Sequence, residues 1–164
     1  MRIVLIRPFA CVEYAYQSIR EGKSVSPRNS IFVIDDDPSM IRSIERVLKV
    51  YGFDVKAFES AEAFLDHANP SDARCLVLDI NLSGMSGIEL RRKLALSGIS
   101  VPVIFITGND SEIVRKAAVE VGFTAYLLKP FPAKHLMDAI GKALDGTVTS
   151  PPLFELMRSQ QPLC

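Results

Sequence analysis

Cysteine is scarce in this chain: Cys11, Cys75 and Cys164 are odd in number and far apart, with no metal-ligand spacing. That excludes a disulfide framework and a cysteine-built metal centre, and the three read as reduced cytoplasmic thiols, Cys75 as a buried strand residue. Long apolar runs are missing too. The stretch 3–6 is too short for a signal-peptide core and Pro8 interrupts it, while nothing approaches the roughly 20 apolar residues of a membrane span. A cytoplasmic protein without a membrane partner is therefore expected. Net charge is also lacking, since 19 Lys and Arg balance 19 Asp and Glu. With the basic residues spread out, no nucleic-acid partner is expected. Arg91-Arg92-Lys93 reads as a solvated helix face, and the isolated His67 and His135 as surface residues. What is present is ordinary globular composition, 48% hydrophobic and 23% charged over 164 residues, enough for one domain with a core.

Residues 1–29 show no sustained period and read as a loosely ordered extension, with one helical segment around 12–20. Strand and helix then alternate through the domain expected at 30–146, and 147–164 form a C-terminal tail carrying Pro151-Pro152. Strands are expected at 31–35, 53–58, 75–79, 101–107 and 125–128. Their apolar character predicts a parallel sheet covered on both faces. Pro38 suits the first turn of a helix that Gly52 stops, with Ile41, Ile44, Leu48 and Tyr51 on one face. Ser60 caps a short second helix with Phe64 and Leu65 turned inward, and a third follows Gly87. Ile113, Val114, Ala117, Ala118 and Val121 give the fourth its buried stripe, and Leu136, Ala139, Ile140, Ala143 and Leu144 the fifth. This alternation predicts a doubly wound, flavodoxin-like α/β domain with five parallel strands in the order 2-1-3-4-5. Its ligand crevice would lie beyond the carboxyl ends of the first and third strands.

Those strand ends carry the polar residues. The first runs into Asp35-Asp36-Asp37, the third into Asp79, the fourth into Thr107 and the fifth into Lys129-Pro130. Asp37 precedes Pro38 and suits a helix N-cap. Asp35, Asp36 and Asp79 would repel one another when ionised, and Mg²⁺, a hard cation content with few carboxylates, relieves that. Asp79 is then the natural nucleophile, with the backbone carbonyl of Asn81 a further metal ligand. Gly84 and Gly87 make the loop after it tight. Threonine favours strands on its own account, so Thr107 carries a plain reading as well. Lys129, aimed at a nearly buried edge, needs an anionic partner, for which Asp79 or its phosphate serves. A cis bond at Pro130 would fix the turn. Acid, nucleophile, hydroxyl and ammonium on one edge make a phosphorylation switch.

Asp35-Asp36, Asp79, Thr107 and Lys129-Pro130 together resemble the signature of the response-regulator receiver domain of two-component signalling. The segments SAEAFL at 60–65, MSGIEL at 85–90, FITG at 105–108 and KPF at 129–131 are similar to FixJ-type receivers. The resemblance covers 30–145. It implies that Asp79 takes a phosphoryl group from a sensor histidine kinase or a phosphotransfer protein. It also implies Mg²⁺ held by Asp36, Asp79 and the Asn81 carbonyl, with Asp35 acting through a metal-bound water. Lys129 would pair with the phosphoryl oxygens, Thr107 would move to bond one of them, and Tyr126 matches the switch aromatic, its plain alternative being a core aromatic. Chemistry would be limited to self-catalysed phosphoryl transfer and autodephosphorylation.

Two departures stand out. Ser83 occupies a position where many relatives have proline, which bears on the rigidity of the loop after Asp79. FixJ-type relatives usually continue into a DNA-binding helix-turn-helix, whereas this sequence is expected to be a stand-alone receiver. It would signal to a downstream protein through its fourth helix, fifth strand and fifth helix, or else drain phosphoryl groups from a shared kinase. Two rivals use the same elements. A haloacid-dehalogenase-class phosphatase needs a second Asp two residues after the nucleophile, where Asn81 stands. A flavin binder needs a hydroxyl-rich phosphate loop after the first strand, where three carboxylates stand.

Overall fold

The strands β1 (Ser30–Ile34), β3 (Ala73–Asp79) and β4 (Val103–Thr107) are apolar at successive positions because both of their faces are covered. In the computed structural model, which describes residues 30–146, odd and even positions separate into two cores. Ile31, Val33, Cys75, Val77, Ile104 and Ile106 face helices α1 (Pro38–Val50) and α5 (Ala133–Leu144). Phe32, Ile34, Leu76, Leu78, Val103 and Phe105 face α2 (Ala61–His67), α3 (Gly87–Leu96) and α4 (Glu112–Val121). With β2 (Asp54–Phe58) and β5 (Ala125–Leu128), the five strands lie parallel in the predicted order β2-β1-β3-β4-β5. Cys75 is fully buried, and its thiol is pushed up to about 12 by burial.

Local chemistry sets the helix starts. The Asp37 side chain accepts from Ser39 N at 2.8 Å, with Pro38 in the first turn. Ser60 accepts from Ala63 N at 3.0 Å, and Ser86 and Glu89 form a reciprocal capping box at α3. A short 3-10 turn, Pro70–Asp72, capped by Asn69, precedes β3 and was not signalled by periodicity.

Several expectations need correction. β2 and β5 are edge strands, largely exposed or half-buried, so only the three central strands are covered on both faces. The fourth strand starts at Val103 because Pro102 before it has no N–H for the ladder, although its carbonyl accepts from Leu76 N. Tyr51 is 42% exposed, since α1 ends at Val50 and the chain leaves the helical path that the stripe needs. Ile113 is 82% exposed: Val114, Ala117, Ala118 and Val121 complete the i, i+3, i+4, i+7 stripe without it. Arg91 does not belong to a solvated face either, for its Nε donates to Gly122 O at 3.1 Å and its Nη1 is buried without a partner. Arg92, Lys93, His67 and His135 are exposed as expected. The segment expected as a helix around 12–20, the flanking extensions, Cys11 and Cys164 lie outside the described residues. Among those described, no helix is long and apolar enough to cross a membrane.

Candidate functional site

Strand register brings the polar residues together. Ile34 pairs with Leu78, which sets the next residue of each strand, Asp35 and Asp79, side by side beyond the switch point of the sheet. Asp79 pairs with Ile106, and Thr107 with Leu128, so Thr107 and Lys129 leave their strands at the same edge.

Asp35 is fully buried, Asp79 and Thr107 are buried, and Asp36 is exposed. Lys129 Nζ bridges the two buried carboxylates, donating to Asp35 Oδ2 at 2.6 Å and Asp79 Oδ2 at 2.7 Å. Burial works against the ammonium, yet these bonds outweigh it and hold Lys129 above its ordinary value. Burial likewise pushes the Asp35 carboxyl up, against bonds from Lys129 and the Asp37 N–H. Two carboxylates thus share one ammonium, leaving negative charge in excess.

Ligand oxygens of Asp35, Asp36 and Asp79 all lie within 4.8 Å of one another. An all-oxygen acidic set of this kind suits a hard divalent cation such as Mg²⁺. Asp79 Oδ1 accepts from Asn81 N at 3.0 Å, and the Asn81 side-chain oxygen lies 3.1 Å from Thr107 Oγ1. The Thr107 hydroxyl also accepts from Asn109 N at 3.1 Å, fixing the start of the β4–α4 loop.

Backbone space shapes the loop after Asp79. A Cβ on Gly87 would lie 2.2 Å from the Asp79 carbonyl oxygen, so only glycine lets α3 begin against the end of β3. Gly84 has φ +87°, a left-handed value that favours glycine, and Glu62 Oε1 accepts from the neighbouring Met85 N at 2.9 Å. The Lys129–Pro130 bond is cis.

Ser83 answers the question its place in the sequence raised. Its N–H and hydroxyl both donate to Asp36 Oδ2, at 3.0 and 2.7 Å, so the loop is anchored without the proline that many relatives have. The hydroxyl is also the main cause holding Asp36 below the usual carboxylate range. Sequence spacing gives no sign of this contact, because the partners are 47 residues apart. Glu62 and the Asn81 side chain were missed for the same reason.

Tyr126 is half-buried at the end of an aromatic row, 5.8 Å from Phe123, which lies 5.9 Å from Phe105 in the core. Its hydroxyl donates to Asp110 Oδ1 at 3.3 Å, Arg115 pairs with Asp110, and the guanidinium lies 5.6 Å from the Tyr126 ring. Tyr126 is thus tethered to the loop that follows Thr107.

Residues 31–141 match the family described as the response regulator receiver domain. The chain is 38% identical over 120 residues to nodulation protein W of Bradyrhizobium diazoefficiens, covering 73% of this chain and 53% of that protein. It is 32% identical over 120 residues to the transcriptional regulatory protein FixJ of the same organism, covering 73% and 58%. The chain therefore spans little more than half the length of these curated relatives. Among solved structures, a CheY-like response regulator receiver domain protein from Methanospirillum hungatei matches with TM-score 0.66 at 26% identity, covering 72% of this chain and 94% of that one.

Proposed function

The chain belongs to the response-regulator receiver family, and from that premise we propose that it is a phosphorylation switch whose acceptor is Asp79. The observation that carries this reading is the register-set meeting of Asp79 with Lys129 beside Asp35 and Asp36. A carboxylate oxygen of Asp79 attacks the phosphorus of a phosphohistidine on a sensor kinase or phosphotransfer protein. The phosphorus–nitrogen bond breaks, and its electron pair returns to the imidazole, which takes up a proton. Asp35, Asp36, Asp79 and the Asn81 carbonyl would hold Mg²⁺, which when bound offsets the negative charge of the transferring group.

Lys129 turns from its carboxylate partners to the phosphoryl oxygens, an ammonium already aimed at the acceptor. Thr107 exchanges its bonds with Asn81 and Asn109 for one to the phosphoryl group. That pulls on the β4–α4 loop and, through Asp110, on Tyr126. A ligand moves such an equilibrium only through contacts that differ between its two states, and Thr107 supplies the difference. The output is a changed surface on α4, β5 and α5, read by a partner protein in the cytoplasm. An acidic pocket on a chain without net charge favours a protein over DNA as that partner.

The test is chemical. Acetyl phosphate with Mg²⁺ is expected to give an acid-stable, alkali-labile adduct on the wild type and none on Asp79→Asn. Full labelling of the Asn variant would sink the assignment.

A further inference from the structure

We propose that Ser83 is a positioning residue for the metal site, a role that deepens the reading above and rests on it. Asp35 and Asp79 are buried and held by one ammonium, so their carboxylates are already fixed. Asp36 is exposed and has no contact with that ammonium within ion-pair distance. Left to itself, such a side chain turns among rotamers in water, and cation binding would have to arrest it. Ser83 does so beforehand. Its N–H and hydroxyl converge on the single oxygen Oδ2, at 3.0 and 2.7 Å, and leave the other oxygen unclaimed by these bonds. Two donors from one residue fix the position of that oxygen.

The same two bonds tie the loop after β1, which carries Asp35 and Asp36, to the loop that follows Asp79 at the end of β3. Met85 N, two residues beyond Ser83, is held in turn by Glu62 of α2. The β3–α3 loop is thus fastened from two sides, once to a metal ligand and once to a helix start. Partners that orient a metal's ligands affect affinity without touching the metal. Proline at this position would bring neither donor, because its nitrogen carries no hydrogen and its ring no hydroxyl.

The test is Mg²⁺ affinity, measured by calorimetric titration of the full chain without any phosphoryl donor. Ser83→Ala keeps the N–H and loses the hydroxyl, Ser83→Pro loses both, and Ser83→Thr keeps both. Affinity is expected to weaken by about three- to tenfold in Ser83→Ala and further in Ser83→Pro, with Ser83→Thr close to wild type. Thermal melting without Mg²⁺ identifies any variant that fails to fold, and Ser83→Ala, losing only an exposed hydroxyl bond, decides the matter if Ser83→Pro does. Equal or tighter Mg²⁺ binding by Ser83→Ala overturns the positioning role while leaving the phosphorylation reading intact. A wild type that binds no Mg²⁺ overturns that reading itself.

Discussion

At the scale of single residues, Lys129 organises the pocket more than any carboxylate does. It sits between Asp35 and Asp79 with its side chain 17% exposed, and both acids are nearly or fully out of water. Removing one partner of such a group is costly mainly because the others keep their charge without compensation. Lys129→Ala is therefore expected to destabilise the protein by about 2 kcal/mol in urea unfolding at neutral pH without Mg²⁺. Millimolar Mg²⁺ should recover part of that loss, because a cation bound to the same carboxylates replaces the missing ammonium and favours the folded state. An equal loss with and without Mg²⁺ would place the cation away from this cluster. Lys129 was legible from sequence because an ammonium after Ala-Tyr-Leu-Leu has to find an anion. That it holds two carboxylates was not, since the second depends on how β1 and β3 are registered.

At the scale of elements, the site depends on how closely α3 approaches the end of β3. Gly87 lets α3 start against the Asp79 carbonyl, where a methyl group would lie 2.2 Å from oxygen. Gly87→Ala must shift the helix or the strand end, and is expected to cost about 1–3 kcal/mol, as overpacking does. A Tm unchanged from wild type would mean that α3 is free to slide. The proposed switch also belongs to this scale. Thr107 is bonded to Asn81 and Asn109, and Tyr126 to Asp110, so the β4–α4 loop connects hydroxyl to aromatic, and Asn81 connects the hydroxyl to the loop after Asp79. Thr107→Ala is expected to accept phosphate but to lose the phosphorylation-dependent change in amide exchange along α4. A response like that of wild type would refute this route. The elements themselves were readable because period and capping agree: Asp37 and Ser60 each bond the N–H that their place in the sequence requires. The misreadings came where a pattern was extended past its geometry. Ile113 is apolar but one residue off the α4 stripe, and β2 is apolar in part yet stands at the sheet edge. The effect of Ser83 stayed open in the sequence because a missing proline is visible there and a contact to Asp36 across 47 residues is not.

At the scale of the whole molecule, the carboxyl edge of the sheet is fastened by acids that hold its loops and helix starts. Asp36 takes both donors of Ser83, Glu62 takes Met85 N, Glu89 closes the α3 capping box, and Asp110 pairs with Arg115 and Tyr126. All four carboxyls lie below their ordinary values, 3.8 for Asp and 4.5 for Glu, chiefly through the bonds from Ser83, Met85, Ser86 and Arg115. A folded-state value below the unfolded one means that the unfolded chain binds more protons in the interval between them. The stability these groups contribute is therefore complete above the ordinary values and is lost as pH falls through the folded ones. Asp35 runs the other way: its raised value makes its contribution fullest below 3.8 and lost as pH rises through the folded value. With Glu112 and Asp138, lowered by Lys116 and Lys134, six groups oppose one among the described residues, so the urea midpoint without Mg²⁺ should stay nearly level from neutral pH down to the carboxylate range and fall below it. Each fastener is exposed and individually weak, so the fall should be shallow, and shallower still in high salt. Glu62→Gln and Glu89→Gln together should flatten it further, because an amide does not titrate. A midpoint that rises as pH drops below 4 would show that the buried Asp35, and not the rim of acids around it, governs the acid response of this fold.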